Sequence, residues 1–230
     1  MKPIRVMTYN IRHALGMDRE INLDRTCEVI AHEHPDVVFL NAVDRFLRRS
    51  GHVDQPTYLA EQLNMNFVFG RIRNSNGGEY GLAILGREPL QSRLHDLTNS
   101  DSSYGKRICM EAWFGNNHDQ YNLLCTHMGI VKEETVQNTN TIRKIAETKE
   151  GKTILAGDFN GLPYRGFSRL LSQFNDIYAE GHSTFSNPEP TKRIDFIFAS
   201  KDLQARPIIP SSPYVSVASD HRPSLADVYV

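Results

Sequence analysis

The sequence predicts an α/β protein in which two β-sheets pack face to face and helices cover their outer sides. Three observations predict this class. Short β-branched and aromatic runs recur along the whole chain, whereas amphipathic helical patterns are few. Neighbouring strand runs often follow one another with no helix between them, which a doubly wound parallel sheet would require. No repeat, low-complexity tract or Pro/Ser-rich linker interrupts the chain, so residues 1–230 read as one domain.

Taken in order, Ile4–Tyr9 is the first strand run. Leu23–Glu33 follows as a helix, with Cys27, Ile30 and Ala31 apolar, and stops before Pro35. Val37–Leu40 is a strand, Thr57–Leu63 a second helix, and Asn66–Arg71 and Gly81–Leu85 are strands. Ile108–Phe114 and Tyr121–His127 are strands, and Glu133–Glu147 is the third helix. Thr153–Ala156, Arg193–Ala199 and Leu225–Tyr229 complete the set. Strand parity places Leu123, Cys125 and His127 on one face, and Ile154, Ala156 and Asp158 on another. Asp195 points away from Ile194, Phe196 and Phe198, so polar groups gather at strand ends or opposite the large aromatics. The lone tryptophan, Trp113, lies in a strand run that reads as core.

A chain of 230 residues buries roughly 70% of its unfolded surface, so no disulfide or structural metal is needed for stability. Three cysteines with no close pair, Cys27, Cys109 and Cys125, read as small buried hydrophobes in a reducing compartment. Met1-Lys2-Pro3 runs straight into a strand, without the apolar segment of a signal peptide, and no run approaches a membrane span. The expectation is a cytoplasmic monomer with no membrane insertion, although a chain trimmed of its leader would read the same. The net charge of -1 gives no bulk attraction to polyanions, so any phosphate must be held by a local patch.

Three segments set acid, amide or imidazole groups at the end of an apolar run: Thr153–Asn160, Lys192–Phe198 and Val217–Pro223. A carboxylate in apolar surroundings needs a hydrogen-bonding partner or a metal. Oxygen-rich groups without cysteine point to a hard cation, magnesium, manganese or calcium. Each segment alone has a plain structural explanation, such as an Asx turn at Gly157-Asp158-Phe159-Asn160. Their joint occurrence favours a metal-assisted hydrolase.

The chain resembles the endonuclease/exonuclease/phosphatase superfamily. The residues that carry the resemblance are Thr8–Arg12, Tyr80–Leu85, Cys125–His127, Gly157–Asn160, Arg193–Ile197 and Ser219–Pro223, spread in the family's order over nearly the whole chain. The resemblance implies a four-layer α/β-sandwich, two packed mixed β-sheets flanked by helices, with the site at one end of the sheets. It implies that Asn10 and Asp220 hold a catalytic Mg2+, or Mn2+ or Ca2+. Asp158 would orient or deprotonate the attacking water, and Asn160 would fix that water or a phosphate oxygen. His221 would bind phosphate with Asp195 holding its ring, and His127 would do similar work opposite, on the substrate side, oriented by Glu79 or Tyr80. This suits phosphoester hydrolysis, which is mostly positioning and stabilisation of charge.

One position breaks the pattern. The family carries a metal-ligating glutamate where this chain has Ala42, in the string Leu40-Asn41-Ala42-Val43-Asp44. Asn41 is expected to point to the other face, and Asp44 to lie two residues beyond the strand end. Losing even an outer group costs roughly 10–100-fold in metal affinity or activity. Two explanations stay open: a replacement that disables an otherwise intact phosphodiesterase, or a natural pseudo-enzyme that binds phosphorylated ligands without hydrolysing them. For the substrate, Arg45 and Arg49 follow the ligand strand, and Arg107 opens another as a bidentate phosphate donor. A compact phosphoester is favoured over long DNA or RNA, though a nuclease remains the alternative.

Overall fold

The computed structural model describes residues 3–98, 105–116, 119–149, 151–178 and 181–229. Two six-stranded sheets lie face to face. The first is built from β11 (Gln204–Ile208), β12 (Ser224–Tyr229), β1 (Ile4–Asn10), β2 (Val37–Arg45), β4 (Gly78–Gly86) and β3 (Asn66–Ser75), in that spatial order. The second runs β5 (Gln91–Asp96), β6 (Ile108–Phe114), β7 (Tyr121–His127), β8 (Lys152–Asp158), β10 (Asp195–Ser200) and β9 (Phe174–Asp176). Both sheets are mixed. β1 pairs parallel with β2, and β7 with β8, while the remaining pairs are antiparallel.

Alternation along each strand sorts the apolar residues into three layers of packing. Val6, Phe39 and Ile84 of the first sheet meet Met110, Leu123, Ile154 and Ile197 of the second, and this is the central core. Met7, Tyr9, Leu40 and Leu85 face outward, where Val29 and Ile30 of α1 (Leu23–Glu33) and Leu59 of α2 (Gln55–Leu63) cover them. On the far side Leu124, Leu155, Phe196 and Phe198 pack beneath Ile142 of α3 (Lys132–Glu147) and Leu170 of α4 (Tyr164–Leu171). The result is the expected four-layer α/β-sandwich. Among the described residues no helix is long and apolar enough to cross a membrane.

The differences from the sequence expectation lie mainly at edges. β5, β9 and β11 have no apolar signature, because they border their sheets and leave most side chains exposed or half-buried. Pro207 in β11 is tolerated for the same reason. α4 is missed because it is short and contains Gly166, which packs closely on Thr139 of α3. Trp113 is half-buried rather than core, since it pairs with the exposed edge residue Gln91. β10 begins at Asp195 rather than Arg193. β2 runs on past Leu40 to Arg45, so Asp44 lies inside the strand and is fully buried. A register shift between Leu40 and Val43, a β-bulge, allows this extension.

Candidate active site

Strand register brings the predicted residues together. Asn10 ends β1 on the same inward face as Val6 and Thr8. In the second sheet His127, Asp158 and Asp195 occupy one level across three strands, because His127 pairs with Asp158 and Asp158 pairs with Asp195. Asp220 and His221 come from the segment leading into β12, the neighbour of β1. That segment is pinned from behind. The Asn187 amide donates to the carbonyls of Val215, Ser219 and His221 at 2.9–3.0 Å, and the Ser219 hydroxyl donates to the Asn10 carbonyl at 2.7 Å.

The polar groups then converge on Asp158. Asn10 Nδ2 donates to Asp158 Oδ2 at 2.9 Å and lies 3.3 Å from His221 Nε2. His127 Nε2 is 3.3 Å from the same carboxylate oxygen, and the Asn160 backbone N–H donates to Oδ1 at 2.8 Å. The Asn160 side chain donates to the Met128 carbonyl at 2.7 Å, which locks the turn after β8. Across the cluster His221 Nδ1 donates to Asp195 Oδ2 at 2.9 Å. Asp158, Asp195 and His221 thus form a compact buried carboxylate–imidazole group.

This packing separates the two histidines electrically. Burial pulls the pKa of His221 down, but the negative charges of Asp195, Asp158 and Asp220 outweigh it and raise the value to about 9. His221 is therefore a cation at neutral pH. Burial also lifts Asp195 to about 6, against the attraction of the imidazolium. His127 moves the other way: burial lowers its pKa, opposed by Asp158 and assisted by Arg107 and His221. The two rings are thus pushed in opposite directions, His221 toward its cationic form and His127 toward its neutral form.

Of the two residues expected to orient His127, Tyr80 is the one within reach, its hydroxyl 3.5 Å from Nδ1. Glu79 does not fill that role, because its two oxygens are held by Arg45 at 3.2 Å and Arg71 at 3.0 Å. Arg45 is likewise engaged by carboxylates. It grips Asp54 through two hydrogen bonds of 2.9 and 2.7 Å, besides Glu79. Arg49 makes a two-pronged contact to buried Asp44 at 2.8 and 2.7 Å while its guanidinium lies over the Tyr80 ring. Arg107, just before β6, is close enough to His127 to act on its charge, and its Nε is buried without a hydrogen-bond partner among the described residues. Sequence reasoning missed Asn187 and Thr184, which act on backbone groups around the site and carry no motif of their own.

Ala42 sits in the bulge of β2 with φ +57, almost fully buried. Asn41 reaches across the interface, donating from Nδ2 to the Thr126 carbonyl at 2.8 Å, so it welds the two sheets together. The other groups that the resemblance assigns to a cation are already engaged. Asn10 Oδ1 accepts the Arg12 backbone N–H at 3.0 Å, and Asp220 Oδ2 is ion-paired with Arg12 Nε at 3.3 Å. Asp44 is sealed by Arg49 and Ser50. Ca2+ takes six to eight oxygen ligands, whereas Mg2+ is held by one or two carboxylates with water and phosphate completing the shell. In the set the resemblance assigns, Asp220 is the carboxylate left and is paired with Arg12, while Asp158, Asp195 and His221 form a further buried group that could meet an ion. Alanine at position 42 therefore weakens the hold on a divalent ion.

Comparison with known proteins agrees with this architecture. A sequence profile of the endonuclease/exonuclease/phosphatase family matches residues 7–221. None of the curated protein sequences matches the chain significantly. Among solved structures, an endonuclease/exonuclease/phosphatase from Beutenbergia cavernae DSM 12333 superposes with a TM-score of 0.80 at 22% identity, over 100% of this chain and 72% of the other. One from Bacteroides vulgatus gives 0.79 at 24% identity, over the full length of both chains. A mannosyl-6-phosphatase of Bacteroides thetaiotaomicron VPI-5482 gives 0.74 at 20% identity, over 99% of this chain and all of the other. At these identities the likeness is one of fold.

Proposed function

This chain belongs to the endonuclease/exonuclease/phosphatase family, whose members are generally hydrolases of phosphorylated substrates, and on that premise we propose a phosphodiesterase-type site whose hydrolytic half is assembled and whose metal half is broken at Ala42. One observation supports this reading above the others. Asp158, Asn160, His127 and the His221–Asp195 pair form one hydrogen-bonded cluster, while the position in β2 where the family has a metal-ligating glutamate carries a methyl group.

In this reading cationic His221 binds a phosphate oxygen and stabilises the charge that develops there. Asp195 holds the ring. Asp158, at the centre of the network, orients or deprotonates the attacking water, and Asn160 fixes its position through the turn after β8. His127 sits opposite, with Tyr80 setting its orientation, and Arg107 supplies a donor to the phosphate from the same side. The family's enzymes typically use divalent metals, and Asn10 and Asp220 are the residues left here to serve one.

Restoring the carboxylate tests the proposal. The Ala42→Glu variant, assayed on a chromogenic phosphodiester with Mg2+ or Mn2+, should gain at least about 10–100-fold over the alanine form. No gain would overturn the impaired-hydrolase reading and leave a pseudo-enzyme that binds without turnover. A compact phosphoester is the proposed substrate, because Arg45 and Arg49 are committed to Asp54 and Asp44 rather than free for a polyanion. Affinity that fell steeply between low and moderate salt would instead indicate nucleic acid.

A further inference from the structure

Immediately after Asn10 the backbone does something unusual. Arg12, His13 and Ala14 have φ values of +47, +46 and +66, three successive non-glycine residues in the left-handed region. Such strain persists where the surroundings fix it, and it concentrates at functional sites. The surroundings do fix it. The Leu15 N–H donates to the Arg12 carbonyl at 2.9 Å, Gln55 Nε2 to the His13 carbonyl at 2.9 Å, and the Asn22 N–H to the Ala14 carbonyl at 2.9 Å. The turn leaves Arg12 beside the cleft, with Nε 3.3 Å from Asp220 and 40% of its side chain exposed.

Arg12 and the broken position follow the same rung of the first sheet. Asn10 and Asn41 form the last rung between β1 and β2, and the Ile11 N–H donates to the Asn41 carbonyl at 3.1 Å. The residues that follow this rung are Ile11 and Arg12 on one side and Ala42 on the other. Loss of a carboxylate at position 42 removes negative charge from the strand that pairs with the one leading to Arg12, whose guanidinium meets Asp220.

We propose that Arg12 takes the role of the missing cation, so that the cleft binds a phosphate group without a divalent metal. A guanidinium carries five N–H donors in a fork that matches phosphate geometry, and its charge does not titrate in the physiological range. Asp220 now occupies part of that fork, an anion that phosphate would displace. His221 and Arg107 supply the remaining positive charge around the same oxygens. The proposal rests on the reading of this cleft as a phosphoester site, and it differs from that reading in needing no metal.

Calorimetric titration of inorganic phosphate into the purified chain tests it, once in EDTA and once in excess magnesium chloride. Equal affinity in the two buffers is expected. Arg12→Gln should weaken phosphate in EDTA by at least about tenfold, the order expected for one charge-assisted contact, while Arg12→Lys keeps the charge and should lose less. Asp220→Asn removes a competing anion and should tighten phosphate, whereas a metal-dependent site predicts weaker binding. Near-ultraviolet circular dichroism confirms the fold of each variant, and Asp220→Asn decides the matter if Arg12→Gln does not fold. Phosphate binding that needs magnesium, or that Arg12→Gln leaves unchanged, would overturn the proposal. Those outcomes are separate from the Ala42→Glu assay, whose failure would remove the hydrolase reading and leave phosphate binding in EDTA intact.

Discussion

Replacing Arg49 by methionine separates a structural guanidinium from a substrate-binding one. Asp44 is fully buried inside β2, and its carboxylate depends on two Arg49 hydrogen bonds of 2.8 and 2.7 Å and one from the Ser50 hydroxyl at 2.9 Å. Removing the cation leaves a buried charge with a single neutral donor. Breaking a buried pair in this way costs about 3–5 kcal/mol. Because 42% of the Arg49 side chain is exposed, water can approach one edge of the pair and the expected cost is about 2–4 kcal/mol. For a chain of this size each kcal/mol shifts the melting temperature by about 2–4 °C, so the variant should melt roughly 4–16 °C lower. Differential scanning calorimetry and urea unfolding give the two measures. The double variant Asp44→Asn/Arg49→Met should recover much of the loss, because the orphaned charge is gone. A loss below about 0.5 kcal/mol, the range of ordinary surface changes, would refute the argument and return Arg49 to the substrate.

Other consequences follow from the same geometry. In metal-free protein the raised pKa of His221, about 9 against an ordinary 6.5, means that the folded chain holds this proton more tightly. Its contribution is complete below pH 6.5 and is lost as pH climbs toward 9, so urea stability should fall by a few kcal/mol across that window, and His221→Gln should flatten the slope. Asp195, raised to about 6, acts in the same direction but at lower pH, and is spent before the window opens. Asn187→Ala removes three hydrogen bonds to the segment that carries Asp220 and His221, and should cost about 2–4 kcal/mol and raise amide exchange over residues 215–221. Tyr80→Phe loses only a long contact to His127 and should change stability by less than about 0.5 kcal/mol. In the Ala42→Glu background the same change should lower phosphodiester turnover, read against a normal melting curve.

The sequence pattern carried most of the fold because the signals involved are local. Leu23–Glu33 is a helix with the bounds expected, since Asn22 caps it and accepts the Arg25 N–H at 2.9 Å, and Pro35 follows its end. Tyr121–His127 alternates cleanly because one face meets the opposing sheet and the other meets α3. β5 and β11 gave no such signal, because an edge strand exposes residues that a central strand would bury. The site residues Asn10, Asp158, Asp195 and His221 were legible as acids and amides at the ends of apolar runs, and they do converge.

What each basic residue does was not legible. Arg45 and Arg49 follow the broken ligand position in the chain, yet one is tied to Asp54 and Glu79 and the other to Asp44. Arg12 ends the recognisable Thr8–Arg12 motif, and only its turn brings it to Asp220. Hydrophobic alternation, caps and strand-end acids are properties of neighbours along the chain, so the amino-acid order alone fixes the layers and the level at which polar groups collect. The partner of a guanidinium, the choice of Tyr80 over Glu79 and the competition for Asp220 are settled by distances between remote segments. Charge interactions fall off with separation and depend on burial, and both quantities exist only once the two sheets have closed on each other.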